Sequence, residues 1–258
     1  MALEGAPGRR LALVVEYDGS NFCGFQAQAA RRTVQGEIEA ALRRITQASV
    51  RVAGAGRTDS RVHALGQVVS FTSHTRLATA DLERALNAVL PADVTVLRCV
   101  EVGAGFHARY SARSREYVYV IVNRRQRPAL CRHYAYHVPL PLDEVAMDAA
   151  CRLLVGRHDY ASFSGAGRQK GTVRTVLHAA CRRDGERVCV EIAADAFLPH
   201  MVRNIVGTLV WLGTGKLDLP AFARILSGGK RSLAGPTAPP QGLYLARVNY
   251  GNEWQGVI

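Results

Sequence analysis

Apolar positions along the chain switch between a period near two and a period near four, and the switches mark the elements. Arg10 to Tyr17 (RLALVVEY) is a β-branched run that reads as a strand. From Thr33 onward Val34, Ile38, Leu42 and Ile45 form one face of a helix, with Thr33 as its N-cap. Val50 to Ala53 and Gln67 to Phe71 read as two strands. A second helix starts near Thr79, places Leu82, Leu86 and Val89 on one side and stops before Pro91. Val94 to Val102 closes the half as a strand, so the order is β-α-β-β-α-β.

The same order recurs downstream. Arg115 to Val122 alternates Tyr117, Tyr119 and Ile121 against Glu116, Val118 and Val120, and a helix runs from about Leu142 to Val155 into a loop containing arginine and glycine. Val173 to Arg182 and Arg187 to Ala193 flank Asp184-Gly185, a hairpin signal. Helices follow over Pro199 to Leu212 and Pro220 to Leu226, and Gly242 to Tyr250 is the last strand. Two tandem ferredoxin-like units, 8–106 and 107–258, are expected, an α+β fold whose antiparallel sheets join into one larger central sheet.

The halves differ at one place. Where the second has a tight turn, the first has Gly54 through Gly66, a glycine-framed loop holding Arg57, Asp59, Arg61 and His63. Replacing a hairpin by such a loop marks it as functional and predicts one active site per chain.

Composition narrows the chemistry. The 258 residues carry 33 Lys+Arg against 21 Asp+Glu, a formal charge of +12, and only Lys170, Lys216 and Lys230 are lysines. Guanidinium groups grip phosphate bidentately and stack on bases, so the excess points to a nucleic-acid surface. The high Arg/Lys ratio by itself reads equally as codon bias. No run approaches a membrane span, and Met1 to Arg10 does not resemble a signal peptide. The six cysteines never form Cys-x-x-Cys, so no metal is expected and a reducing, cytoplasmic location is.

Asp59 reads either as a nucleophile kept ionised by Arg57, Arg61 and His63, or as a loop carboxylate paired with them for structure. Tyr117 and Tyr119 share one strand face, as a base-stacking platform or as core. Arg113 and Arg115 beside them, with Arg124, Arg125, Arg127 and Arg132 beyond, are candidate phosphate contacts. Arg203 is the charged residue of an otherwise apolar helix and needs a carboxylate, with Asp195 and Asp59 as candidates. His133 and His137 lie in an extended segment, which disfavours a ligand pair.

Tyr17-Asp18-Gly19-Ser20, Gly24-Phe25-Gln26, Gly56-Arg57-Thr58-Asp59, Val62-His63-Ala64, Phe106-His107-Ala108-Arg109, Tyr117-Val118-Tyr119, His200 through Gly207 (HMVRNIVG) and Gly242-Leu243-Tyr244-Leu245 come in order and span almost the whole chain. Together they resemble the TruA family of tRNA pseudouridine synthases. The resemblance implies isomerisation of uridine at tRNA positions 38–40, in the anticodon stem-loop, by a cytoplasmic homodimer that uses neither metal nor organic cofactor. It implies that Asp59 is the catalytic aspartate, that Arg57 helps extrude the target nucleotide, that Tyr117 is the active-site tyrosine, that Arg203 pairs with the aspartate, and that Leu243 lies near the target base. Ser60-Arg61 stands where many members have Ala-Gly, so a glycine suited to positive φ is replaced and Arg61 adds a candidate phosphate contact. Phe25 replaces a frequent Trp. A non-catalytic RNA-binding module would account for the charge and the tyrosines but not for the asymmetric Asp loop. A carboxylate glycosidase would need a second acid, and no obvious partner to Asp59 is apparent.

Overall fold

The structure, a computed structural model, describes residues 8–165, 171–251 and 254. Residues 166–170 of the loop expected after the Leu142 to Val155 helix, Lys170 among them, lie outside the described residues. The chain runs β1 (Arg9–Tyr17), α1 (Val34–Thr46), β2 (Ala53–Gly54), β3 (His63–Ser73), α2 (Thr79–Val89), β4 (Val94–Glu101), β5 (Ala112–Asn123), β6 (Tyr136–Val138), α3 (Glu144–Leu154), β7 (Gly156–Asp159), β8 (Val173–Asp184), β9 (Arg187–Ala194), α4 (Met201–Gly213), α5 (Leu219–Gly228) and β10 (Leu243–Tyr250). Two compact units result, 1–113 with 245–258, and 114–244. Taken in sequence order β10 closes the second half. The fold returns residues 245–258 to the first unit, because β10 lies beside β3.

In the first unit the strand order is β4-β1-β3-β10, with β2 also on β3. Antiparallel pairing sets Leu11 opposite Phe71, Leu13 opposite Val69 and Val15 opposite Gln67, and each of these is buried. Of the residues that the period of four picked out, Val34, Ile38, Leu42, Leu82 and Leu86 are buried, while Ile45 and Val89 at the helix ends are half-buried. The Thr33 side chain caps α1 by accepting from the Gly36 amide. The strand expected over Val50 to Ala53 shrinks to two residues for an identifiable reason. The Val52 amide donates to Glu39 Oε1 and its carbonyl accepts from Gln35, so α1 takes the backbone groups a ladder would have used. β3 in turn begins four residues early, at His63, which shortens the loop to 55–62.

The second unit has the order β5-β9-β8-β7, with β6 parallel to β5. Asp184 pairs with Arg187, so the hairpin turns on Gly185-Glu186, with Gly185 at φ +55. The short strands β6 and β7 carry too few alternating residues to announce themselves. α4 is buried nearly all round, and the strap 234–238 crosses it at close range. A Cβ at Gly207 would stand 1.7 Å from the Pro236 carbonyl oxygen, and one at Gly235 would stand 2.7 Å from the Gly207 oxygen. Two glycines thus let backbone lie on backbone.

Gly207→Ala should therefore destabilise the protein by at least about 1–3 kcal/mol, the cost of overpacking. Gly228→Ala in α5, where a Cβ meets nothing within 4 Å, should be neutral or stabilising by up to about 1 kcal/mol. Urea unfolding midpoints of the two variants check the contrast.

Candidate active site

The Asp59 loop is held from beneath by side chains of β1 and β3. Gln67 is wholly buried and hydrogen-bonds both sides of the Gly56 peptide frame: its Oε1 accepts from the Gly56 amide (3.3 Å) and its Nε2 donates to the Gly56 carbonyl (2.8 Å). The same Nε2 lies 3.5 Å from the Tyr17 hydroxyl oxygen. The Tyr17 and Thr58 hydroxyls share a further hydrogen bond, 2.7 Å long. Burial pushes the Tyr17 hydroxyl up to about 12 despite these bonds, so it is protonated at neutral pH. The register explains the arrangement. Val15 opposite Gln67 puts the amide on the same core face as Tyr17, two residues along β1.

The segment from Asp18 to Thr33 buttresses the other side of the loop. The Thr58 carbonyl accepts from the Phe25 amide, and the Phe22 carbonyl accepts from the Arg61 amide and the Ser60 hydroxyl. Gly24, at φ +93, comes so close that a Cβ would meet the Thr58 carbonyl oxygen at 2.9 Å. Phe25, the residue in place of a frequent Trp, is buried with its ring against Gly54. Arg32 clamps this segment with a bidentate bond to Asp93 at 2.7 and 2.8 Å, a further bond to Glu37 and its guanidinium over the Phe22 ring. His63, expected in the loop, is instead the buried first residue of β3. Its Nδ1 lies 3.1 Å from both the Gly19 amide and Asp18 Oδ1.

On this frame Thr58 points inward, Asp59 is half-buried, and Arg57 and Arg61 are exposed. Arg61 has φ +64, so the left-handed position that glycine suits is kept although the residue is arginine.

In the second unit Tyr117 is 8% exposed and sets its ring edge-on to Phe197 at 5.0 Å. Tyr119 is wholly buried and its hydroxyl donates to the Pro239 carbonyl at 2.7 Å, so it is core rather than an exposed platform. The strap that holds Tyr119 also holds Arg203. Arg203 Nε donates to the Ala238 carbonyl (2.8 Å), while the Ala238 amide donates to the Arg203 carbonyl. The strap itself is fixed to α4 by Arg231, whose guanidinium donates to Ala234 and Gly235 carbonyls, Asn204 Oδ1 and Thr237 Oγ1. Gly242, packed on the Tyr119 ring, leads directly into buried Leu243.

Asp195 is not the partner of Arg203. Its carboxylate accepts from the Thr175 and Ala196 amides, closing its own turn. Arg115 is buried and donates to the Asp195 carbonyl, whereas Arg113 is exposed. Arg124 pairs with Glu186 at 2.8 Å, while Arg125, Arg127 and Arg132 are exposed, Arg132 bonding the Ala129 carbonyl. His137 bonds the Arg124 carbonyl from within β6, whereas His133 lies in a turn over 130–134 rather than in the extended segment expected for both. Among the described residues no group of His, Cys, Asp or Glu could hold a metal, and no helix is long and apolar enough to cross a membrane.

A family profile described as tRNA pseudouridine synthase matches residues 13–111 and 150–251. This chain belongs to that family. Relatives named tRNA pseudouridine synthase A are similar over nearly its whole length. That of Roseiflexus sp. (strain RS-1) is 46% identical over 252 residues, covering 96% of this chain and 93% of the relative. The Moorella thermoacetica protein is 45% identical over 243 residues, covering 93% and 99%, and that of Halalkalibacterium halodurans is 44% identical over 246, covering 95% and 94%. As a member of the tRNA pseudouridine synthase family the chain is an enzyme, an isomerase.

In this synthase the supporting roles of Gln67, Tyr17, Thr58 and Arg231 escaped the sequence reading, although Tyr17 and Thr58 stand in its motifs. A glutamine at the start of an apolar strand was the available signal, since a core position admits an amide only when it has partners. Gln67→Leu removes both partners of Gly56 and should cost about 1–3 kcal/mol, and Tyr17→Phe about 1 kcal/mol. Both should lower kcat more than they raise KM in steady-state assays. Arg61→Gly relieves a left-handed side chain and should gain at most about 1 kcal/mol in urea unfolding.

Proposed function

We propose that the chain converts uridine to pseudouridine in the anticodon stem-loop of tRNA, at positions 38–40, with Asp59 as nucleophile. The observation that carries this reading is a half-buried carboxylate on a loop whose backbone is pinned at Gly56, Thr58 and Arg61. A nucleophile must be held within a few tenths of an ångström of its target, and this loop is held by buried polar bonds rather than by packing alone. The reaction breaks N1–C1′, turns the uracil and forms C5–C1′; the C5 hydrogen leaves and N1 gains one, with no net redox change and no water consumed. Asp59 adds to the base or traps the sugar at C1′, and both routes use the same ionised carboxylate.

A stacked stem hides C1′, so the target nucleotide flips out at a cost of roughly a few kcal/mol. Arg57, exposed on the same loop, fills the gap it leaves. Tyr117 stacks on or donates a proton near the flipped base, Leu243 lies against it, and Arg203 supplies the positive charge that the resemblance sets against the aspartate. Exposed Arg61 and Arg113 serve as phosphate contacts; Arg115, expected to join them, is buried and bonded to the Asp195 carbonyl. The same proposal has the chain working in the cytoplasm as a homodimer, which light scattering would test.

With tRNA tritiated at uridine C5, the parent protein should release tritium. Asp59→Asn should abolish release while keeping tRNA affinity within a few fold, and Tyr117→Phe should lower kcat. Substantial turnover by Asp59→Asn, in a preparation free of host enzyme, would sink the assignment.

A further inference from the structure

Residues 106–111, between β4 and β5, form a turn in which nearly every backbone group is committed. The Phe106 ring is buried against Tyr250 (5.0 Å) and Trp254 (4.9 Å), and its carbonyl accepts from Arg10 Nε at 2.9 Å. The Ala108 amide donates to Ser70 Oγ (3.0 Å) and its carbonyl accepts from the Tyr250 hydroxyl (2.8 Å). The His107 amide donates to Ser111 Oγ, and the Ser111 amide returns a bond to the His107 carbonyl. His107 Nδ1 accepts from the Arg109 and Tyr110 amides at 3.1 and 3.4 Å. Burial and the nearby Arg10 and Arg109 charges lower the His107 pKa, which favours the neutral ring that this acceptor role requires.

All this rigidity ends in a side chain that buries almost nothing. Tyr110 is 78% exposed, backed by the His107 ring at 4.4 Å and with the Arg109 guanidinium 5.8 Å from its centre. A single exposed aromatic is ordinary on a protein surface. One mounted on an immobilised turn is different, because the ordering cost of binding has already been met by the fold. A flat ring with a guanidinium at its margin suits a nucleobase and its phosphate, since every base has a π-face and stacking tolerates sequence. The net charge of +12 makes an anionic polymer the complementary partner.

We propose that Tyr110 is a stacking platform for an unpaired base of the substrate tRNA, with Arg109 on the adjoining phosphate. This rests on the reading of the chain as a tRNA-binding enzyme, and it adds a contact separate from the Asp59 loop, one that holds RNA without taking part in bond changes.

The test measures tRNA affinity against salt for the full-length parent, Tyr110→Ala, Tyr110→Phe and Arg109→Ala, with tritium release in parallel. Stacking lost on alanine substitution is worth about 1–3 kcal/mol per base, so Tyr110→Ala should weaken binding about 5- to 150-fold. It should leave the dependence of affinity on salt unchanged, raise KM and keep kcat within about twofold. Tyr110→Phe should bind like the parent. Arg109→Ala should flatten the slope of log affinity against log salt by roughly 0.7–0.9. Thermal unfolding should not move for either Tyr110 variant. Parental affinity in Tyr110→Ala overturns the platform, and so does a Tyr110→Phe as impaired as the alanine variant, which would make the hydroxyl the contact. If the parent neither binds tRNA nor releases tritium, the functional reading falls and the platform with it; if the parent does both, only the platform is at stake.

Discussion

The bond pair between the Gln67 side chain and the Gly56 peptide frame is the constraint on which the Asp59 loop depends. A loop of eight residues, 55–62, between β2 and β3 would otherwise have the freedom of any surface connection. Gln67 converts its first turn into an extension of the sheet, and Tyr17 continues the chain of bonds to Thr58. Asp59 is the next residue along. The position of its carboxylate is thereby inherited from β1 and β3, the most deeply buried strands of the first unit.

The second unit reaches the same end by a different device. Its strap, 234–238, lies on α4 at the Gly207 and Gly235 contact, and Arg231 sews it down through two carbonyls and two side chains. The strap then hands bonds to Arg203 through Ala238 and to Tyr119 through Pro239. Arg231 is a buried-side cation satisfied by neutral acceptors, a use for which the five donors of a guanidinium are suited and an ammonium is not.

Arginine therefore does two jobs in this chain. Arg32, Arg115, Arg124, Arg183 and Arg231 are tied into carboxylates, carbonyls or amides and shape the fold. Arg57, Arg61, Arg113 and Arg125 are exposed. The 33 Lys+Arg behind the net charge of +12 include both sets, so part of the cationic composition shapes the fold rather than a ligand-facing surface.

Periodicity alone determined the order of the longer elements, the helix faces and the isolation of Asp59 in an expanded loop, because each of these is a property of neighbours in sequence. Thr33, Pro91 and Gly185 marked boundaries through local backbone chemistry, and the ordered motifs from Tyr17 to Leu245 pointed to the family. Whatever depended on partners remote in sequence was decided by the tertiary structure. Val50 to Ala53 looked like a strand until Gln35 and Glu39 took the Val52 backbone groups. Asp195 looked like a partner for Arg203 until the Thr175 and Ala196 amides claimed it. Tyr119 is core because Pro239, 120 residues away, accepts its hydroxyl hydrogen. A hydrogen bond is directional and nearly all-or-none in geometry, so which acceptor wins depends on ångström placement that only the folded chain supplies.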